Sequence, residues 1–188
     1  MEQTPDNFRQ VDFTDIYVSA SGLVKYIDYA GNHRCDSGFE NKGKYRMIKT
    51  LGGRFYYVHR LVARAWVENP CPKYFNVVHH MDCNKQNNSY KNLQWTTKSL
   101  NNAWKTNQKL VQKQKGFYYI NFVFNKTKFY KPTFYKSKEA CEEAAKKMKQ
   151  EMINAQREHI IKCAKSGKEP YVGVTCPNCG HTSNCSTI

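Results

Sequence analysis

Four side chains near the middle of the 188-residue chain are of types that could carry hydrolytic chemistry: His79, His80, Asn92 and Asn101. A neutral imidazole can take a proton near pH 7, and it also binds divalent metal ions. An amide carbonyl can fix the tautomer and the direction of such a ring. Consecutive histidines after an apolar run are uncommon, so this pair, followed by asparagines, marks a candidate site.

Short elements are predicted on both sides of the histidines. Apolar spacing predicts a helix at 59–67, a strand at 75–78 that runs into the histidines, and a second strand at 93–96. Thr97 or Ser99 then caps a helix that carries the last asparagine of the set. From residue 75 onward the predicted order is strand, Asn-rich loop, strand and helix.

The segment before these elements predicts a small antiparallel sheet. Between Ile16 and Tyr57, short β-like runs alternate with turn signals such as Ser21-Gly22 and Leu51-Gly52-Gly53. Residues 1–10 are polar and are predicted to be loose.

The segment after the candidate site predicts a second small module. Residues 105–115 are interpreted as a basic linker, and two aromatic-rich strands follow at 117–124 and 129–135. Ser137 is predicted to cap a long helix. The apolar line of that helix is predicted to run through Ala140, Ala144, Met148, Met152 and Ala155.

The motif around the histidines resembles that of the HNH endonucleases, in particular the homing endonucleases of phage introns and inteins. The stretch from Val78 to Asn88 (VHHMDCNKQNN) leads to Asn92-Leu93-Gln94-Trp95 and then to Asn101-Asn102. The preceding Val58–Ala63 also resembles the helix that leads into that motif, and the likeness covers about residues 57–102. It implies a ββα-metal nuclease core that hydrolyses phosphodiester bonds in DNA.

The resemblance implies a role for each of the four residues. His80 matches the general base, and Asn92 matches the asparagine that orients it. His79 and Asn101 match the two protein ligands of one divalent ion, which could stabilise the leaving 3′ oxygen. The position of His79 is often Asp or Asn in the phage group, so this site should suit Mn²⁺, Co²⁺ or Ni²⁺ at least as well as Mg²⁺.

The loop after the histidines departs from the family at one turn. Cys83 stands where the family usually has glycine, so the backbone there is predicted to be tighter or differently shaped. Asn84, Asn87 and Asn88 are interpreted as turn formers, because asparagine is common in turns.

Residues 116–150 resemble an AP2-like module, a set of strands backed by one helix. The likeness lies in Phe134–Ala140 and Ala144-Ala145, and it departs at Lys131-Pro132, where the family has Leu-Gly. Such modules lay their sheet on the DNA major groove, which implies phosphate contacts from the lysines of this segment. These are Lys113, Lys115, Lys126, Lys128 and Lys131. Tyr118, Tyr119 and Tyr130 could touch bases or sugars, although alternation along a strand sends about half of such residues to the core.

Cysteines near the end of the chain form a candidate zinc site. Cys176 and Cys179 have zinc-knuckle spacing, and His181 and Cys185 could complete four ligands of a structural Zn²⁺. The remaining spacings are unusually short, so an unliganded tail is the alternative.

Charge also indicates a polyanionic partner. The net charge is +15, and the segment from Ala103 to Lys168 holds 16 basic against 5 acidic residues. A concentrated positive field of this kind attracts nucleic acid, whereas a solubilising surface usually mixes both signs. The polar N-terminus and the absence of an 18-residue apolar run predict an intracellular protein with no membrane partner, and the cysteines are expected to be thiols or metal ligands.

The predicted fold class is α+β, with a ββα-metal core flanked by a small N-terminal antiparallel sheet and a C-terminal module of strands plus a helix. The predicted domains are a β-rich, candidate DNA-binding module at 11–56, the nuclease at 57–108, the AP2-like module at 113–163 and the tail at 170–188. The predicted function is metal-dependent cleavage of double-stranded DNA, site-specific and homing-type, by a protein that could act as a monomer. The alternatives are a DNA-binding regulator without catalysis and a zinc-stabilised protein-interaction module.

Overall fold

The structure, a computed structural model, describes residues 7–104, 110–124 and 127–170, with the backbone alone at 122–124 and 127–132. Contacts between residues divide the chain into two units, with the boundary between Thr96 and Thr97. The described residues form short antiparallel sheets and three α-helices, so the α+β class predicted from the sequence is confirmed.

The first sheet consists of four short antiparallel strands in the order of the chain. They are β1 (Phe8–Gln10), β2 (Tyr17–Ser19), β3 (Val24–Ile27) and β4 (His33–Asp36). The prediction that residues 1–10 are loose is wrong for β1, which pairs with β2 with Arg9 opposite Val18. The side chains of β1 stay largely exposed, so hydrophobic alternation gives no signal for it.

The second sheet leads directly into the first helix. Its strands are β5 (Phe39–Glu40), β6 (Arg46–Lys49) and β7 (Phe55–Tyr57), paired antiparallel in that order. Helix α1 (Val58–Trp66) begins at the residue after β7 and ends close to the predicted point. The face of α1 that carries Val58, Leu61 and Val62 is buried, and the helix packs against strands of both sheets.

A two-stranded hairpin completes the first unit and carries the histidines. It consists of β8 (Val77–His80), a 3-10 turn (Tyr90–Asn92) and β9 (Leu93–Thr96), with His80 opposite Leu93. The hairpin packs against α1, and the indole nitrogen of Trp95 donates to the carbonyl oxygens of Ala63 at 3.3 Å and Val67 at 3.1 Å. These bonds tie the strand to the C-terminal end of the helix.

The second unit is a three-stranded antiparallel sheet with two helices. Its elements are α2 (Lys98–Trp104), β10 (Val111–Gln114), β11 (Phe117–Phe124), β12 (Thr127–Tyr135) and α3 (Lys138–Lys165). The caps fall where predicted: the hydroxyl of Thr97 accepts from the amide of Leu100 at 3.1 Å, and that of Ser137 from Ala140 at 3.3 Å. Helix α3 packs against all three strands. The AP2-like character of this unit stays a prediction.

Two sequence-based predictions for this unit are wrong. The predicted linker 105–115 contains β10, whose Val111 is buried opposite Ile120. The buried face of α3 is also displaced by about one residue from the predicted line, because Ala140 and Ala155 are exposed. The buried residues of α3 are Cys141, Ala145, Lys149, Met152, Ile153, Gln156 and Ile160. A face that includes lysine and glutamine escapes a search for apolar periodicity.

None of the helices within the described residues is long and apolar enough to cross a membrane.

The turn after β8 contains a strained non-glycine residue. Cys83 has a φ of +61°, in the left-handed region, while its amide donates to the carbonyl oxygen of His80 at 3.0 Å. A Cβ in this conformation clashes with the neighbouring carbonyl, which is why glycine is favoured there. The chain therefore keeps the backbone of a glycine turn at this position although it carries cysteine.

Replacing Cys83 by glycine should raise the free energy of unfolding by up to about 1 kcal/mol, because the left-handed strain is removed and is only partly offset by the extra flexibility of the unfolded chain. Cys83→Ala is the matched control, since it removes the thiol but keeps the Cβ. Chemical denaturation of the three proteins measures the effect, and equal stability of the Gly and Ala variants would contradict it.

Candidate active site

The loop between β8 and β9 is closed by a reciprocal pair of side-chain hydrogen bonds. The amide oxygen of Asn92 accepts from the backbone NH of Asp82 at 3.0 Å, and its NH₂ group donates to the carboxylate of Asp82 at 2.8 Å. The other carboxylate oxygen accepts from the side chain of Asn87 at 2.8 Å. The same NH₂ group of Asn92 also donates to the carbonyl oxygen of Asn87 at 2.9 Å. A mostly exposed loop thereby satisfies its backbone with its own side chains.

His80 lies at the end of β8 and is held by an asparagine of this loop. Its side chain is buried, and its Nε2 atom lies 3.2 Å from the amide oxygen of Asn88, which is also buried. The NH₂ group of Asn92, to which the family resemblance assigns the role of orienting the base, donates to Asp82 and to the carbonyl oxygen of Asn87. The sequence interpretation of Asn88 as a turn former missed its contact with His80, because spacing alone does not show which asparagine faces inward.

Aromatic rings surround His80 on the side of α1 and β6. The ring of His59, on α1, lies 5.1 Å from that of His80 between centroids, and the ring of Tyr45 lies 6.1 Å away. His59 also contacts Tyr45 and Tyr57, and its buried Nδ1 atom has no hydrogen-bond partner among the described atoms. The ring of His80 is therefore fixed by packing as well as by its hydrogen bond.

Burial keeps both rings neutral at pH 7. Desolvation lowers the pKa of His59 to about 3. Desolvation also lowers the pKa of His80, while the hydrogen bond to Asn88 and the carboxylate of Asp82 act in the opposite direction. A neutral imidazole has one ring nitrogen free to take a proton, which is what a general base requires.

The structure places the other predicted site residues on several elements. His79 is buried next to His80 on β8, and Asn92 is buried at the end of the 3-10 turn. Asn101 lies on α2 in the second unit, half-buried, and its pairing with His79 as metal ligands stays a prediction. No cluster of three or more His, Cys, Asp or Glu side chains that could hold a metal occurs in the described part of the chain.

The predicted DNA-contacting lysines are only partly described. Lys113 and Lys115 are exposed, and the ammonium group of Lys113 lies 5.5 Å from the ring centre of its cross-strand neighbour Tyr118. Lys126 lies outside the described residues, and Lys128 and Lys131 are described by their backbone in β12 alone. The predicted zinc ligands Cys176, Cys179, His181 and Cys185 also lie outside the described residues.

The carboxylate of Asp82 should make the stability of the loop depend on pH. Hydrogen bonds, first from the Asn87 side chain and then from the Asn84 amide and Asn92, lower its pKa from the ordinary 3.8. A lowered carboxyl pKa gives stability that is present above pH 3.8 and lost as the pH falls through the folded-state value. The thermal midpoint of Asp82→Asn should therefore lie below that of the wild type at pH 7, and the gap should narrow below pH 3.8. A gap that is constant with pH would contradict this role.

Comparisons with known proteins identify the segment that carries the site. Residues 56–103 match the family model described as HNH endonuclease. The chain is 38% identical over 92 residues to the uncharacterized HNH endonuclease L245 of Acanthamoeba polyphaga mimivirus, an alignment that covers 48% of this chain and 24% of that protein. The chain thus spans about a quarter of the length of this relative.

A solved structure, described as DNA binding and cleavage by the HNH homing endonuclease I-HmuI, is 31% identical and has a TM-score of 0.39, covering 50% of this chain and 55% of that one. The matched segment 56–103 holds all four predicted catalytic and metal-binding residues and the closed loop between them. Within this segment, the chain is thus similar to the HNH endonuclease family.

Proposed function

We propose that the protein is a metal-dependent DNA endonuclease that hydrolyses phosphodiester bonds, with His80 as its general base. The observation that carries the proposal is the geometry of His80, a buried neutral ring held by an amide inside the segment that matches the HNH family. Site-specific cleavage of the homing type is the form of this activity that the sequence resemblance favours.

The proton transfer follows from the surroundings of His80. The ring nitrogen that does not face Asn88 takes a proton from the water that attacks phosphorus. Packing against His59 and Tyr45 keeps the ring from rotating, so the base meets its water in one orientation. The neutral state of His59 also spares His80 a second positive charge, which would weaken it as a base.

His79 and Asn101 are the residues that would hold the divalent ion. An imidazole nitrogen and an amide oxygen are both neutral donors, and such a set fits a borderline divalent ion with water and phosphate oxygens completing its coordination. When bound, the ion would supply positive charge that stabilises the leaving 3′ oxygen. His79 is buried beside His80 on β8, which is consistent with a ligand and a base that act on the same phosphate.

We assign double-stranded DNA as the substrate and the second unit as a further binding surface. Phe117, Tyr119 and Phe134 form a cluster of rings with centroids 6.2 and 6.4 Å apart. Phe117 and Tyr119 are on the face opposite Ile120, which is buried, because residues alternate along a strand. Lys115 lies in the adjacent turn, so this face could lie on DNA. Tyr118 lies on the opposite face, which it shares with Ile120.

Replacing His80 by alanine should lower the rate of DNA cleavage at least about 100-fold, because the general base is lost. DNA affinity should stay nearly unchanged. Nicking of plasmid DNA with each divalent ion in turn measures the rate, and His33→Ala, at an exposed histidine of β4, is the matched control. Turnover close to the wild-type rate in His80→Ala would overturn the assignment. A wild type that binds DNA but fails to cleave it with any of the ions would favour a non-catalytic regulator.

The metal preference should follow from the neutral ligands. Mn²⁺, Co²⁺ or Ni²⁺ should support cleavage at lower concentration than Mg²⁺, because a pair without a carboxylate holds a hard ion loosely. His79→Asp should shift the preference toward Mg²⁺, and Asn101→Ala should abolish cleavage with every ion. The concentration of each ion that supports cleavage is measured by titration with the wild type, His79→Asp and Asn101→Ala. The same order of preference in wild type and His79→Asp would contradict the role of His79.

A further inference from the structure

We propose that Asn88 is the positioning residue that fixes the tautomer of His80, and that the β5–β6 hairpin holds Asn88 in place through Gln86. The inference rests on the proposed function, because it assigns how the general base is oriented. Asn88 contacts the base directly, whereas Asn92 acts on it indirectly by closing the loop.

Hydrogen bonding determines which way the amide of Asn88 points. Its NH₂ group donates to the backbone carbonyl oxygen of Gln86 at 3.4 Å, and a carbonyl oxygen can only accept. The amide oxygen therefore faces His80, at 3.2 Å from Nε2. Because an amide oxygen also only accepts, Nε2 must carry the hydrogen. In a neutral ring the lone pair then lies on Nδ1, which becomes the basic atom.

The backbone around Asn88 is supported by the turn between β2 and β3. Gly22 has a φ of +104°, and a Cβ at that position would come within 3.1 Å of the Cβ of Asn88 and 3.3 Å of its carbonyl oxygen. Two residues later, the amide of Tyr90 donates to the carbonyl oxygen of Ala20 at 3.0 Å. The close approach at Gly22 and the bond at Ala20 leave the backbone of Asn88 little room to move.

Gln86 links the loop to the β5–β6 hairpin on the other side. Its side-chain oxygen accepts from the guanidinium of Arg46 at 2.7 Å. Its NH₂ group donates to the carbonyl oxygen of Lys44 at 2.6 Å and to the carboxylate of Glu40 at 2.9 Å. Both the oxygen and the nitrogen of the Gln86 side-chain amide are thus hydrogen-bonded to the hairpin. The backbone carbonyl oxygen of Gln86 accepts from the amide of Asn88 and fixes its orientation. A displacement of the hairpin would therefore be transmitted to His80 through Gln86 and Asn88.

The tautomer of His80 is measured directly by long-range proton–nitrogen NMR of the imidazole rings in the ¹⁵N-labelled full chain. The chain has six histidines, and His80→Gln identifies the His80 signals. We expect the wild type to hold His80 with hydrogen on Nε2. Hydrogen on Nδ1 instead would overturn the proposal, and this result needs neither a variant nor a cleavage activity.

A pair of loop variants separates positioning from general support. Asn88→Leu keeps the approximate shape but removes the acceptor, so it should release the ring to a mixture of tautomers. Asn87→Leu removes the bond to Asp82 without touching His80, so it should leave the tautomer unchanged. Equal tautomer populations in the two variants would overturn the proposal, because a merely structural role would affect both alike.

Kinetics of plasmid cleavage complete the test. Asn88→Leu should lower kcat roughly 10- to 100-fold, as for other partners that orient a histidine, with KM nearly unchanged. Gln86→Met, which removes the link to the hairpin but keeps the backbone carbonyl, should lower kcat by less. An unchanged kcat in Asn88→Leu would overturn the proposal. A wild type without cleavage would overturn the proposed function, while the NMR result would still decide the tautomer.

Discussion

The paired hydrogen bonds between Asp82 and Asn92 are the constraint on which the candidate site depends. The loop between β8 and β9 is mostly exposed, so it gains little from burying apolar surface and must satisfy its backbone with polar side chains. The pair fixes the two ends of the loop next to the strand that ends in His80. Only with the ends fixed can the middle of the loop fold back and present an amide to the imidazole.

Helix α1 provides the apolar surface on which the elements of the first unit pack. The sheets of the first unit are short, and each buries only a few residues, so their stability comes from packing on one shared helix. Indole NH groups reinforce the packing at two places, since Trp66 donates to the carbonyl oxygen of Val18 at 2.9 Å and Trp95 bonds the end of α1. The same helix brings His59 against His80 and so joins the core to the site.

Elements with strong local signals could be predicted from the sequence, and elements determined by tertiary pairing could not. The amphipathic spacing of α1, the caps at Thr97 and Ser137 and the aromatic run of β11 each predict the observed element. Strand β10 carries a single apolar side chain at its start, so it is recognisable only once β11 pairs with it. The same holds for the site, because the motif singles out His80 but which asparagine faces it depends on how the loop folds. Asn88 is buried, whereas Asn84 and Asn87 are exposed, and residue type alone does not show this difference.

The link from Gln86 to Arg46, Lys44 and Glu40 has a consequence for how such a protein can be recombined. The segment that matches the HNH family begins at residue 56, yet a loop inside it is bonded to a hairpin that precedes it. Exchange of modules at residue 56 would place a hairpin from another protein beside the nuclease loop. The side-chain oxygen of Gln86 would then lose its donor, and its NH₂ group would lose its acceptors. Recombination between relatives is therefore expected to keep the β5–β6 hairpin and the nuclease loop together as one inherited block, even where the recognised family boundary runs between them.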